Sequence, residues 1–307
     1  MFYFTEDEVR ELLPVDAAIG AVENAFRRLA EKTAINHPRR RLILPTGSVL
    51  HYMTAGGTEY FGAKVYSTHP KHGAHFLFLL YRSDDARPLA IFEANWLGQI
   101  RTGAASALAT RYMAREDART LGIIGSGFQA RSQLEAMRAV RQLESVKVWS
   151  RTAEKRDRFA RECGAEAVGT AEEAVRGADI VVTATYSREP VLEAEWISPG
   201  THINAMGSNQ ATRRELPAQL IAHASRIAID SIEQGRMESG DLLLAVETDW
   251  GGIIELQEIV AGNQPGRTTP EEITIFKSNG LAIEDVAAAA YILEQAQGQA
   301  RRLPLLE

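Results

Sequence analysis

The six residues Gly125-Ser126-Gly127-Phe128-Gln129-Ala130 constrain the fold of this chain more than any other stretch. They follow the apolar run Leu121–Ile124 and open a helical segment rich in Ala, Arg and Gln. A bare Gly-x-Gly-x-x-Ala pattern is common. One that ends a strand and begins a helix inside a βαβ unit is the dinucleotide-binding fingerprint. Gly125 permits the tight turn, Gly127 lets the backbone approach a pyrophosphate, and Ala130 keeps the helix close to the sheet. The helix start adds free N–H groups and the positive end of its dipole.

The same fingerprint expects an acidic residue about 20 positions on, to bind a ribose 2′-OH. Here the second strand ends Trp149-Ser150-Arg151-Thr152, with no acid. A hydroxyl and a guanidinium suit a 2′-phosphate, which a carboxylate would repel. The expectation is NADP(H) in preference to NAD(H), with Ser150, Arg151 and Thr152 at the adenosine end. Thr183, Ala184, Thr185, Met206 and Gly207, at the ends of the next two strands, complete the candidate cofactor-binding set.

From Thr120 onward the pattern alternates strand and helix. Strands are expected at Thr120–Ile124, Ser145–Trp149, Ile180–Thr183, Thr201–Ala205 and Arg226–Asp230, with helices at Phe128–Arg141 and Ala153–Cys163. Such alternation implies a parallel, doubly wound Rossmann sheet. The first third reads differently. Thr5 and Glu8 form a capping box, Pro14 interrupts, and Val15, Ala18, Ile19, Val22, Phe26 and Leu29 recur at helical period. Short β-rich runs follow at Val49–Thr54, Phe61–Ser67, Phe76–Tyr81 and Leu89–Glu93, as in an antiparallel meander. Gly103–Ala114 is a helix of small residues, and Leu281–Ala300 reads as one long Ala-rich helix returning to the first domain. The fold class is therefore α/β: a Rossmann sheet over residues 117–281, and a second α/β domain from residues 1–116 plus 282–307.

With 307 residues, two domains are the prior. The net charge of -6 argues against a nucleic-acid partner, which needs a basic stripe. The single cysteine, Cys163, excludes an internal disulfide framework and a Cys-based zinc site. Apolar runs such as Phe76–Tyr81 are too short to span a bilayer, and the N-terminus turns acidic at once, unlike a signal peptide. A cytoplasmic location, with no membrane partner, is the expectation. His69, His72 and His75 recur every third residue, but Pro70 and Gly73 break any helix there, so no metal site is read from them.

Several stretches in one order resemble the ornithine cyclodeaminase/μ-crystallin family. They are Gly62-Ala63-Lys64-Val65, Ile100-Arg101-Thr102-Gly103-Ala104-Ala105, Leu121–Ala130, Val148–Arg151, Asp230-Ser231, Glu238–Leu242 and Phe276–Ala282. The resemblance runs from about Pro38 to the last helix. It implies a homodimer built through the first domain, a nicotinamide cofactor, and a small amino-acid or imino-acid substrate. It also implies that Arg39, Lys64 and Arg101 lie near the substrate carboxylate and that Asp230 is the catalytic aspartate. Cyclodeaminases of the family carry a Glu on the strand before the one with the lysine. Here His51 stands in that place, and the segment after Lys64 also departs. Both differences put ornithine cyclisation in doubt.

The chemistry is coherent without the resemblance. A carboxylate needs cations, and Arg offers a planar fork where Lys offers a compact charge. Lys64 interrupts the apolar strand Phe61–Tyr66. Arg101 stands before the Gly103–Ala114 helix, a poor place for a cation unless an anion is near. Asp230 ends a strand of the parallel sheet, where such sheets bind ligands. There it can exchange a proton with the substrate nitrogen, with Lys64 counted beside it as catalytic. Asp is equally a good cap for the segment Ile232–Ser239, and the residues alone leave both readings open. The expectation is an NAD(P)-dependent oxidoreductase acting on the C–N bond of a small amino acid or cyclic imine. A redox-neutral ornithine cyclodeaminase and a non-catalytic NADP-binding, crystallin-like protein are the alternatives.

Overall fold

Thr5 opens the first helix as a capping box: its amide donates to Glu8 at 2.8 Å while its hydroxyl accepts from the Glu8 amide. This is seen in a computed structural model that describes residues 1–245, 248–296 and 300–303. In chain order the first elements are β1 (Phe2–Phe4), α1 (Glu6–Leu12), α2 (Val15–Ala30), β2 (Ala34–Ile43), β3 (Val49–Gly57), β4 (Tyr60–His69), β5 (Gly73–Arg82), β6 (Pro88–Glu93) and α3 (Asn95–Met113). The alternating half follows with β7 (Thr120–Ile124), α4 (Phe128–Val140), β8 (Ser145–Trp149), α5 (Ala153–Cys163), β9 (Glu166–Ala167), α6 (Ala171–Val175) and β10 (Ile180–Thr183). Beyond it come β11 (His202–Ala205), α7 (Ala218–His223), β12 (Arg226–Ile229), α8 (Ile232–Glu238), α9 (Gly240–Leu243), β13 (Ile253–Glu255), α10 (Leu256–Val260) and β14 (Thr274–Lys277). The chain closes with α11 (Ala282–Gln295) and β15 (Arg301–Arg302).

The chain divides into two units, Met1–Arg101 with Leu281–Glu307, and Thr102–Gly280. The division falls inside α3, where the sequence placed it at 116/117, and the reason is packing. A Cβ on Gly103 would lie 2.7 Å from the Ser132 carbonyl oxygen, so the small-residue half of α3 lies directly on α4. Thr110 donates to Met137 Sδ and accepts from Asn204, and Arg141 donates to the Thr110 carbonyl at 2.9 Å.

The first unit is a mixed seven-stranded sheet in the order β15-β1-β6-β5-β4-β3-β2. Strands β2 to β6 form the expected antiparallel meander. Strand β2 was not foreseen, nor was β1, which pairs parallel with β6. One face of the sheet is covered by α2 and α11. Phe4, Phe26, Phe78, Phe92 and Leu80 are fully buried in this layer. Burying each such side chain is worth roughly 1.5–3 kcal/mol before entropy is counted. The opposite face shows Ile35, Tyr52, Phe61 and Leu77 to solvent. Helix α11 ends at Gln295, short of the expected Ala300, and residues 297–299 lie outside the described residues.

The second unit is an eight-stranded sheet in the order β13-β12-β14-β11-β10-β7-β8-β9, parallel throughout. Its central strands are buried on both faces, which is why they read as continuous short apolar runs. His202 and Asn204 on β11 break that rule. Both are fully buried, and each finds a hydroxyl partner, Thr274 or Thr110, at 2.9 Å. No helix among the described residues is long and apolar enough to cross a membrane.

Candidate functional site

The glycine turn sits at the carboxyl end of β7, an interior strand of the parallel sheet. Gly125 has φ +115, and a Cβ there would lie 2.5 Å from the Ala184 carbonyl oxygen. Its amide donates to the Trp149 carbonyl at 2.8 Å. Only glycine satisfies both demands. Gly127 caps α4 without a side-chain hydrogen bond, and a Cβ on it would meet no protein atom within 4 Å. The chain's own packing therefore does not call for glycine at 127. Ala130 is fully buried against the sheet, Phe128 is 53% exposed, and Gln129 Oε1 is buried without a hydrogen-bond partner. At the end of β8, Ser126 donates to Ser150 at 2.9 Å, while Arg151 and Thr152 are exposed.

On the other side of β7, Thr183 ends β10 and Met206 and Gly207 follow β11. Thr183 is fully buried, Met206 is buried, and Ala184, Thr185 and Gly207 are partly exposed. Asp230 follows β12 and is 1% exposed. Its Oδ2 accepts from the amides of Asn279 and Gly280, both at 2.6 Å, and its Oδ1 from the Ser231 amide at 3.0 Å. Burial raises its pKa to about 6 against these N–H groups and the nearby Lys277, all of which favour the carboxylate. The cap of α8 is Ser231, whose hydroxyl accepts from the Gln234 amide. The helix-cap reading of Asp230 therefore loses its footing.

The first unit gathers the cations. Strand β2 carries a bulge between His37 and Arg40, which turns Pro38 and Arg39 both inward, so Arg39 is 4% exposed. Lys64 on β4 is 2% exposed, and Arg101 on α3 is 6% exposed. Gly98, one turn earlier on α3, leaves room for Lys64: a Cβ there would lie 2.7 Å from its Nζ. Arg101 lies in the second turn of α3 rather than before a helix, and its anions are near. Its Nη1 donates to Glu284 at 2.8 Å and its Nε to Asp285 at 3.3 Å, while Lys64 Nζ donates to the same Asp285 oxygen at 2.8 Å. Burial lowers the Lys64 pKa to about 8, although Asp285 opposes the shift. For Arg101 the two carboxylates outweigh burial and hold the guanidinium charged. His51 on β3 stacks on Tyr66, with ring centroids 4.2 Å apart, and Tyr66 stacks on Phe76. The His51 Nε2 meets Thr68 Oγ1 at 2.9 Å, while Nδ1 is buried without a partner. Burial, with Arg41 and Arg39 nearby, lowers the His51 pKa to about 4, so its ring is neutral.

Within the first unit, then, Arg39, His51 and Lys64 are buried on neighbouring strands β2, β3 and β4, and Arg101 of α3 shares Asp285 with Lys64. The sequence missed Glu284 and Asp285, the carboxylates that neutralise two of these cations. Two adjacent acids opening an otherwise apolar helix were the only signal. His69, His72 and His75 lie at the β4–β5 hairpin, with the rings of His69 and His72 4.6 Å apart. Among the described residues, no three His, Cys, Asp or Glu groups are arranged to hold a metal ion. Asp241 accepts from the amides of Glu215 and Leu216 and pairs with Lys277.

The model of the ornithine cyclodeaminase/mu-crystallin family matches residues 2–300. An alanine dehydrogenase of Archaeoglobus fulgidus is 37% identical over 306 residues, covering 95% of this chain and 94% of that protein. Among solved structures, the Thermococcus litoralis Delta(1)-pyrroline-2-carboxylate reductase in complex with NADH and L-proline is similar at TM-score 0.92. Its identity is 33%, and 99% of this chain and 100% of that chain are covered. An archaeal alanine dehydrogenase dimer with bound NAD is similar at TM-score 0.93 and 35% identity, covering 100% and 99%.

Proposed function

The chain belongs to the ornithine cyclodeaminase/mu-crystallin family, and from that premise we propose that it is a nicotinamide-dependent oxidoreductase acting on the C–N bond of a small amino acid or its imine. The observation that carries the reading is the placing of Asp230. A buried carboxyl group, held by three backbone amides and raised to about 6, stands at the carboxyl end of the parallel sheet that also carries the glycine turn. Such a group exchanges protons near neutral pH.

The residues present fit a dinucleotide. Gly125 is required by the fold, whereas Gly127 is not, and its bare backbone suits the close approach of a pyrophosphate. The start of α4 has no side-chain cap to satisfy its amides, as suits a pyrophosphate. A bound nicotinamide supplies the hydride acceptor or donor that no side chain can provide. The protein's own part is division of labour. Lys64, Arg101 and Arg39 are assigned to the substrate carboxylate, and Asp230 to the proton on the nitrogen. Ser150 and Arg151 favour NADP(H), because a guanidinium pairs with a 2′-phosphate and no acid is present to hold a 2′-OH. The relatives solved with NADH and NAD make this the point at which the chain would differ from them.

His51 speaks against ornithine as substrate. A neutral imidazole beside Arg39 and Arg41 offers no counter-charge to a second ammonium group. A second copy of the chain is the proposed partner, seated on the apolar sheet face around Ile35, Tyr52, Phe61 and Leu77. Light scattering at micromolar concentration should give twice the chain mass, and a stable monomer would refute it. The function is tested with cyclic imines, 2-keto acids plus amines, and diamino acids, reading nicotinamide absorbance and ammonia release together. Consumption of reduced cofactor with an imine is the expected result. Ammonia release from a diamino acid without net cofactor change would replace this reading with cyclodeamination.

A further inference from the structure

Glu215 is fully buried between the segments that leave two neighbouring strands of the parallel sheet. One carboxylate oxygen accepts from the Thr185 amide at 2.6 Å and the Thr185 hydroxyl at 2.7 Å. The other accepts from the Thr183 hydroxyl at 2.9 Å and the Gly207 amide at 2.7 Å. Thr183 and Thr185 lie at the end of β10, and Gly207 lies beyond β11, so a single side chain joins both segments. The fit is close. A Cβ on Gly207 would lie 2.2 Å from the Thr185 carbonyl oxygen and 2.4 Å from Glu215 itself.

Glu215 is in turn held from behind. Its amide donates to Asp241 at 2.6 Å, and the Leu216 amide donates to the same oxygen at 2.9 Å. The other Asp241 oxygen pairs with Lys277 Nζ at 2.9 Å, and Lys277 donates to the Ser208 carbonyl at 2.7 Å. Two buried carboxylates and one lysine are expensive to desolvate, and such a cluster is weak as a source of stability. Its location points to another use. In the sheet order, β8 and β10 flank β7 on opposite sides. A doubly wound sheet binds the two halves of a dinucleotide on the two sides of the strand that carries the glycine turn. The end of β8, with Ser150 and Arg151, faces the adenosine half, which leaves the ends of β10 and β11 for the other.

We propose that Glu215 is a positioning residue for the nicotinamide half of the cofactor. It fixes the spacing of residues 183–185 against 206–207 without touching the ligand itself. The proposal rests on the nicotinamide-dependent reading above.

Glu215→Gln keeps the size of the side chain but cannot keep its bonds. The threonine hydroxyls can turn to accept from an amide NH2, but the Thr185 and Gly207 amides cannot. One of those amides faces each oxygen, so either orientation of the glutamine sets donor against donor. The readout is a pair of titrations, with the whole dinucleotide NADPH and with the adenosine-side fragment adenosine 2′,5′-bisphosphate. Glu215→Gln should weaken NADPH by about tenfold or more, the loss of a charge-assisted bond, and leave the fragment within about twofold. A parallel loss of fragment affinity would make Glu215 a general structural residue and overturn the proposal, as would unchanged NADPH affinity. Should Glu215→Gln fail to fold, Thr183→Val decides. Thr183 donates one of the four bonds that hold Glu215, so a selective, smaller loss of NADPH affinity supports the proposal, and equal or absent losses overturn it. A wild-type protein that binds the fragment but gains nothing from the nicotinamide half also overturns it. Failure to bind either compound refutes the cofactor reading itself.

Discussion

Lys64 Nζ and Asp285 Oδ1 form an ion pair of 2.8 Å, both side chains almost wholly buried and 221 residues apart in sequence. Arg101 shares the same oxygen, and Asp285 Oδ2 has no hydrogen-bond partner. Lys64 and Arg101 are therefore part of a neutralised cluster that the last helix, α11, completes. Removing one partner of such a pair leaves a buried charge and costs about 3–5 kcal/mol, whereas removing both costs less than the sum. Lys64→Met and Asp285→Asn should each lower stability in urea unfolding by that order, and the double variant should show a coupling of at least about 1 kcal/mol. Additive losses would mean that the pair holds neither partner in place.

That cluster also marks where sequence reading stops. The parallel sheet was legible because its central strands are short apolar runs and Gly125 needs φ +115. Strand β14 was missed because its four residues begin with Thr and end with the buried Lys277. Strand β2 was hidden by Arg39-Arg40-Arg41 and by the bulge that sends Arg39 inward. The cations themselves were readable as interruptions of apolar segments. Their counter-charges were not. Glu284 and Asp285 stand in the first turn of α11, where acids ordinarily complement the helix dipole. Glu215 and Asp241 were likewise unreadable as a pair, because their meaning lies in backbone amides that only the folded loops bring to them.

Asp230 and Lys64 predict the pH dependence of activity. Burial raises Asp230 to about 6, so it is ionised above that pH and protonated below it. Oxidation of an amino acid needs the carboxylate as base, so kcat should rise with pH through about 6. Imine reduction needs the acid, so kcat should fall over the same interval. Burial lowers Lys64 to about 8, so substrate KM should rise as pH passes that value and its charge is lost. Asp230→Asn should remove the limb near 6 and lower kcat by about 10²–10⁴-fold. Steady-state profiles in both directions check this. Parallel slopes near pH 6 would exclude Asp230 as the proton carrier.

Cofactor choice should turn on Arg151. It is exposed at the end of β8 beside Ser150, which is already engaged by Ser126. NADPH should bind more tightly than NADH. Arg151→Ala should cost NADPH about 1.5–3 kcal/mol, roughly tenfold to over a hundredfold, and leave NADH nearly unchanged. Fluorescence titration of both cofactors measures the difference. Equal affinities in the wild type would assign Arg151 to solvent.

His202 predicts an acid limit on stability that is independent of catalysis. The ring is fully buried on β11, with Nδ1 at 2.9 Å from Thr274 Oγ1. Burial, with Arg267 nearby, lowers its pKa to about 3, well below the ordinary histidine value of about 6.5. The folded state thus keeps histidine neutral at pH values where the unfolded chain protonates it. The contribution is intact above about pH 7, and it falls as pH drops through the unfolded value toward 3. The slope is about 1.4 kcal/mol per pH unit in that window. The wild type should therefore lose unfolding free energy steeply between about pH 6 and 4. His202→Gln retains a donor and an acceptor but has no proton to gain. It should be less stable at pH 8, where the fitted ring is lost, yet its stability should fall with pH by about one proton less than the wild type. Urea unfolding at several pH values separates the two effects, because the first is an offset and the second a slope. Identical slopes would mean that the acid sensitivity arises elsewhere, and that His202 is protonated within the fold at the expense of its bond to Thr274.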